Sequence, residues 1–344
     1  MTTITTRAAI AAATSLILVG SIAACSTTGE TDDVASTDET TSQSTTTDSS
    51  TTDDSTTETV SSEATSSPDL EDLVADVQPL FDQAEYVDEE TGETLPYNIY
   101  LPEDYDESQE YPVVLYIPDS SLVGDDVTAP LGEYGALIWA SEEQQATQES
   151  IVVVPAYPEV ILDDHDSYTT TEYVDMTERF LESIIDEYSV DEDRVYGTGQ
   201  SMGCMTILYL AAQNPDLFTA ELFVSGQWDI TQLEGLSEED FFYIAAAGDE
   251  NASGGQADVE AMLDDAGVAY GTATWDATDS EDAQNAAALE LLSNGYSANF
   301  ATFEAGTVLE ANPDAMAMEH MASFEPAYRI GALRDWLLAQ TDAD

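Results

Sequence analysis

From residue 69 to the C-terminus the sequence alternates short apolar runs with segments of helical periodicity, and this alternation most narrows what the chain can fold into. Residues 97–101 are mixed and extended, 113–117 form a continuous apolar run, and 151–154 are β-branched residues stopped by Pro155. Such runs suit strands covered on both faces. A helix follows: Thr169 and Glu172 fit a capping box, and Tyr173, Met176, Phe180, Leu181, Ile184, Ile185 and Tyr188 recur at helical spacing. Residues 194–196 restart an extended segment, and 202–213 read as a helix stopped by Asn214-Pro215. Strands are expected at 222–224 and 243–246, and Val259, Met262, Leu263 and Ala266 mark a helix closed by Gly267. Residues 286–292 read as helical and 300–303 as extended, and Pro326 opens a last amphipathic helix through Leu337. Strands alternating with helices predict an α/β fold, a mostly parallel, doubly covered sheet in a single domain over 69–344.

Charge excludes several partners. The chain has 71 Asp and Glu, five Arg and no Lys, for a net charge of −66. Nucleic acid is excluded, because phosphate binding needs clustered cations, and a basic patch for anionic lipid is equally missing. An apolar content of 43% still supplies a core. No Cys/His spacing predicts zinc and no loop reads as an EF-hand, so neither metal nor cofactor is expected. The run Asp163-Asp164-His165-Asp166 reads as a solvated acidic loop.

The N-terminus is of different character. Arg7 precedes an apolar run at 8–24 that closes in Ile22-Ala23-Ala24-Cys25. That ending resembles the lipobox of bacterial lipoproteins, which implies a signal peptide over 1–24 and a diacylglycerol on Cys25. A transmembrane anchor is the alternative, but the 17-residue run is shorter than the ~20 residues a spanning helix needs. Of the 43 residues at 26–68, 26 are Ser or Thr and ten are acidic, too polar to offset the entropy of ordering. Residues 25–68 are therefore expected to form a lipid-bearing, disordered tether, with the domain at the extracytoplasmic face of the cell membrane.

The sharpest motif is Gly199-Gln200-Ser201-Met202-Gly203, between an expected strand and an expected helix. A tight turn there holds Ser201 in a strained geometry, and small neighbours let strand and helix approach. A serine needs a base, and the chain has two histidines. His320 follows the serine, as in the chain order of the α/β-hydrolases that this motif resembles, whereas His165 precedes it among acids that favour its solvated charged form. Asp249, after the strand at 243–246, is the first candidate for the acid; Asp229 is second and Glu250 third. Cys204 reads as a packed thiol.

The run from Arg194 to Met205 resembles the secreted esterase branch of the α/β-hydrolases that includes poly(3-hydroxybutyrate) depolymerase-like proteins and predicted peptidases. Tyr111-Pro112, Gly306-Thr307-Val308-Leu309, Glu319-His320-Met321 and Arg334-Asp335-Trp336-Leu337 extend the likeness over about 95–340. The resemblance implies an α/β-hydrolase fold and a serine hydrolase acting on small-molecule or polymeric carboxylic esters, with a peptidase or a non-catalytic binding scaffold as alternatives. One departure matters. Where the wider family has His-Gly after the third strand, this chain has Pro118-Asp119-Ser120-Ser121. The Met202 N–H is the expected first oxyanion donor; Pro118 has no N–H, so Ser120 or Ser121 must supply the second.

Overall fold

The computed structural model describes residues 67–342 apart from Asp166 and Asp314. The expected signal peptide, Cys25 and nearly all of the tether lie outside the described residues. The strands are β1 (Asp82–Val87), β2 (Thr94–Tyr100), β3 (Tyr111–Ile117), β4 (Ile151–Pro155), β5 (Leu162–Asp163), β6 (Thr169–Thr170), β7 (Val190–Gln200), β8 (Ala220–Val224), β9 (Phe241–Ala246), β10 (Tyr270–Trp275) and β11 (Ala298–Phe303). Nine of them form one sheet in the order β1-β2-β4-β3-β7-β8-β9-β11-β10, and β5 and β6 pair as a separate small hairpin. β2 runs antiparallel to β1 and β4, and every other neighbouring pair in the large sheet is parallel. This is the α/β-hydrolase architecture, in one domain.

Strands β3, β4, β8 and β9 are buried along their whole length, as their largely apolar runs require, although β8 carries Glu221. Alternation assigns their side chains to two cores. Val113, Leu115 and Ile117 pack with Phe180, Ile184, Ile207 and Val259 from the helices Glu172–Glu187, Met202–Gln213 and Glu250–Ala266. Val114 and Tyr116 face the other way, against Trp139, Tyr328, Leu333 and Leu337.

Four local expectations change. The first long helix is capped by Thr171, whose hydroxyl accepts from Tyr173 N–H, while Thr169 lies in β6. The expected terminal helix is two, Phe324–Arg329 and Gly331–Leu338, broken where Ile330 turns extended (ψ 92°). Strands β1 and β10 were not expected: they are the edges of the sheet, with polar residues and partial exposure. The helix expected from Val259 begins at Glu250.

Each described arginine is engaged. Arg179 grips Asp88 through two bonds of 2.8 and 2.7 Å, and that bidentate contact holds the buried Asp88 carboxyl far below the usual range. Arg194 pairs with Asp191, Arg329 with Asp69, Glu281 and Glu325, and the buried Arg334 donates to Gln144 and to the Tyr328 carbonyl. So few arginines cannot offset the acids, and the remaining repulsion is left to screening by salt. Among the described residues no helix is long and apolar enough to cross a membrane.

Candidate active site

Ser201 stands at the end of β7, in the position before the helix Met202–Gln213, with φ 52° and ψ −116°, at a positive φ that a serine enters only under constraint. The constraint is packing. A Cβ on Gly203 would lie 1.9 Å from the Ile117 carbonyl oxygen, and one on Gly199 would lie 2.6 Å from the Gly203 backbone. Only glycines let β7, β3 and the helix converge this closely, and the convergence pushes Ser201 out of regular geometry.

His320 lies on the short helix Glu319–Ala322. Its Nε2 is 2.8 Å from Ser201 Oγ and its Nδ1 is 2.6 Å from Asp249 Oδ2. Asp249 caps the helix Glu250–Ala266, its Oδ1 accepting from Ala252 N–H at 3.3 Å, which fixes the carboxylate while leaving Oδ2 for the imidazole. The His320 carbonyl accepts from Ser323 Oγ at 2.7 Å, and Ser323 Oγ meets Ser225 Oγ at 2.7 Å. Ser225, directly after β8, also has a positive φ of 50°.

The chain matches the Esterase family model, described as "Putative esterase", over residues 89–331, most of its length. It belongs to that esterase family. A thermostable esterase shares the fold at a TM-score of 0.60 and 20% identity, over 77% of this chain and 64% of that one. This esterase-family chain therefore spans less than two thirds of that protein's length. A serine-to-alanine variant of the feruloyl esterase module from Clostridium thermocellum, complexed with sinapinate, matches at 0.51 and 13% identity, over 77% and 90% of the two chains. At such identities the likeness is one of fold. No curated protein matches.

The other candidates are placed elsewhere. Asp229 accepts from Thr231 N–H, Thr231 Oγ1 and Gln232 Nε2, and these bonds to its own turn hold its carboxyl below the usual range. Glu250 is exposed in the first turn of its helix. In this esterase-family chain His165 sits on the exposed β5–β6 hairpin, with Nδ1 at 3.0 Å from both Asp163 and Asp164. The Cys204 thiol is fully buried against Gly226, and burial pushes its pKa far up, which denies it a thiolate.

Met202 opens the helix, so its N–H belongs to the first turn, where no intrahelical acceptor exists. Ser120 and Ser121 lie on the turn Ser120–Leu122, capped by Asp119. Ser121 N–H already donates to Asp119 Oδ1 at 2.7 Å. As a backbone oxyanion donor Ser121 is therefore occupied, which leaves the N–H and hydroxyl of Ser120.

Sequence reasoning missed the part played by Glu319. Its carboxylate accepts from Gly248 N–H and from Gly306 N–H, each at 2.9 Å, and so ties the turn bearing Asp249 and the turn after β11 to the helix of His320. A Cβ on Gly248 would fall 2.0 Å from the Glu319 carboxyl carbon, so any other residue there would displace the Glu319 carboxylate. No local pattern marks Glu319, since both partners are distant in sequence. Glu319→Ala should lower kcat by about 10- to 100-fold with KM little changed, because it loosens the His320–Asp249 register without touching substrate. Steady-state kinetics on a short-chain nitrophenyl ester checks this, and a wild-type kcat excludes the role.

Proposed function

We propose that the chain is a lipid-anchored, extracytoplasmic serine hydrolase that cleaves carboxylic esters through Ser201, His320 and Asp249. The observation that carries this reading is the unbroken run from Ser201 Oγ through His320 to Asp249, with contacts of 2.8 and 2.6 Å, built on a strained turn. Ser201 Oγ attacks the acyl carbon while His320 Nε2 takes its proton, and Asp249 holds the imidazole tautomer and balances the imidazolium. The Met202 N–H and a donor from the Ser120–Leu122 turn receive the oxyanion, each worth roughly 3 kcal/mol in the transition state. His320 returns the proton to the leaving alcohol; water, activated by the same imidazole, then releases the acid and frees Ser201. The anchor rests on the Ile22-Ala23-Ala24-Cys25 ending and its apolar lead.

One experiment addresses both halves. Membranes from cells producing the full chain are treated with a fluorophosphonate probe and partitioned in detergent. One labelled band is expected in the detergent phase, its labelling suppressed by a short-chain nitrophenyl ester. In Cys25→Ala the label should persist but leave that phase. Absence of labelling in the native protein overturns the hydrolase reading, and detergent partition of Cys25→Ala overturns the lipid anchor. Faster turnover of a peptide amide than of the matched ester would make the chain a peptidase.

A further inference from the structure

A second group of acids lies one residue from Ser201. Gln200, the last residue of β7, donates its side-chain amide to Asp119 Oδ2 at 3.1 Å and also to Glu133 Oε2. The Tyr116 hydroxyl donates to the same Glu133 oxygen at 2.9 Å. One amide nitrogen of Gln200 therefore holds an oxygen of each carboxyl group, which brings Asp119 and Glu133 together. Asp119 is 2% exposed, and its other oxygen caps the turn through Ser121 N–H.

Two carboxyl groups in such contact share a proton more readily than both ionise. Burial first, and then the Asp119 charge, push the Glu133 carboxyl well up. Burial alone would raise Asp119 too, but bonds from Glu133, Ser121 and Gln200 outweigh it and keep Asp119 below the usual range. Glu133 is therefore the neutral acid. Its Oε2 accepts from Tyr116 and Gln200, and a proton on its other oxygen removes the repulsion from the Asp119 carboxylate.

We propose that Glu133 is a positioning residue: it braces the direct contact between Gln200 and Asp119, and so keeps the Ser120–Leu122 turn, the source of the second oxyanion donor, in register with Ser201. This rests on the reading of Ser201 as nucleophile. Glu133 touches no reacting atom; it acts through Asp119 and Gln200. The other titratable groups facing it are Tyr116 and Tyr328, whose hydroxyls burial pushes up, so both stay neutral while Glu133 titrates. As pH rises, Glu133 loses its proton to solvent, two carboxylates then face each other, and the turn is released. The consequence is a fall in kcat on the alkaline side with little change in KM, because the lost contact belongs to the transition state.

The test uses the full chain and an uncharged nitrophenyl ester, with kcat and KM measured across neutral to alkaline pH. Glu133→Ala should lower kcat by ~100-fold, the scale of a lost oxyanion donor, with KM nearly unchanged. Glu133→Gln keeps a donor for Asp119 and an acceptor for Tyr116 and Gln200 but cannot titrate. It should retain kcat at neutral pH and lose the alkaline decline of the native protein. A native-like alkaline decline in Glu133→Gln overturns the proposal, as does wild-type kcat in a cooperatively melting Glu133→Ala; if Glu133→Ala does not fold, the Glu133→Gln profile decides alone. Failure of the underlying nucleophile assignment is recognised separately, by turnover that survives Ser201→Ala.

Discussion

Ser201→Ala should abolish turnover of a short-chain nitrophenyl ester, with a loss on the order of 10⁵-fold in kcat, and should abolish fluorophosphonate labelling, while the melting transition persists. His320→Ala should match it, because an unassisted serine hydroxyl is a poor nucleophile at neutral pH. Asp249→Asn should cost ~10⁴-fold: its amide presents the wrong partner to Nδ1 and no charge for the imidazolium. Asp229→Ala, Glu250→Ala and His165→Ala should stay near wild type, since each side chain is spent locally or exposed. Comparing these variants as purified, folded proteins separates the three acids. Undiminished turnover in Ser201→Ala would remove the assignment, and a larger loss at Asp229 than at Asp249 would move the acid.

Replacing Glu221 by leucine should stabilise the domain. Glu221 lies on β8, is fully buried, and neither carboxylate oxygen finds a hydrogen-bond partner among the described residues. Burial, then the nearby Glu239, Asp240 and Asp342, push its carboxyl well above the ordinary range, and Glu239 beside it is raised to about 8, chiefly by its own burial. A desolvated polar group without a partner costs ~2 kcal/mol, which an apolar side chain of similar size avoids. For a domain of this size that corresponds to roughly 5 °C in Tm. The pH dependence has a definite sign. The folded state keeps the proton where the unfolded chain has released it, so native stability falls as pH rises from the ordinary carboxyl range through the raised folded values. The gain from Glu221→Leu should therefore be larger at pH ~8 than at pH ~5. Calorimetry at the two pH values checks this. A lower Tm at pH ~8 would show that the carboxyl is stabilising in place and sink the argument.

Local patterns in the sequence were enough for the alternation of strands and helices and for the turn at Ser201, whereas His320 was singled out by its place after the serine in the chain. Periodicity and turn chemistry act over a few residues, so the runs that become β3, β4, β8 and β9 are readable without the fold. Edge strands escaped this reading because half-exposed segments such as Asp82–Val87 need few apolar residues. The break at Ile330 escaped it too, because the sequence around Gly331 keeps a helical apolar pattern. Which acid meets His320 was not a local matter: Asp249, Asp229 and Glu250 all follow strands, and 71 residues separate Asp249 from His320. The same holds for Glu319 spanning two turns, for Glu133 meeting Asp119 and Gln200, and for Glu221 sealed in the sheet. In a chain with 71 acids, composition says that nearly every carboxylate is a solvated charge. Only tertiary packing, which sets desolvation and brings distant donors together, decides which few are not.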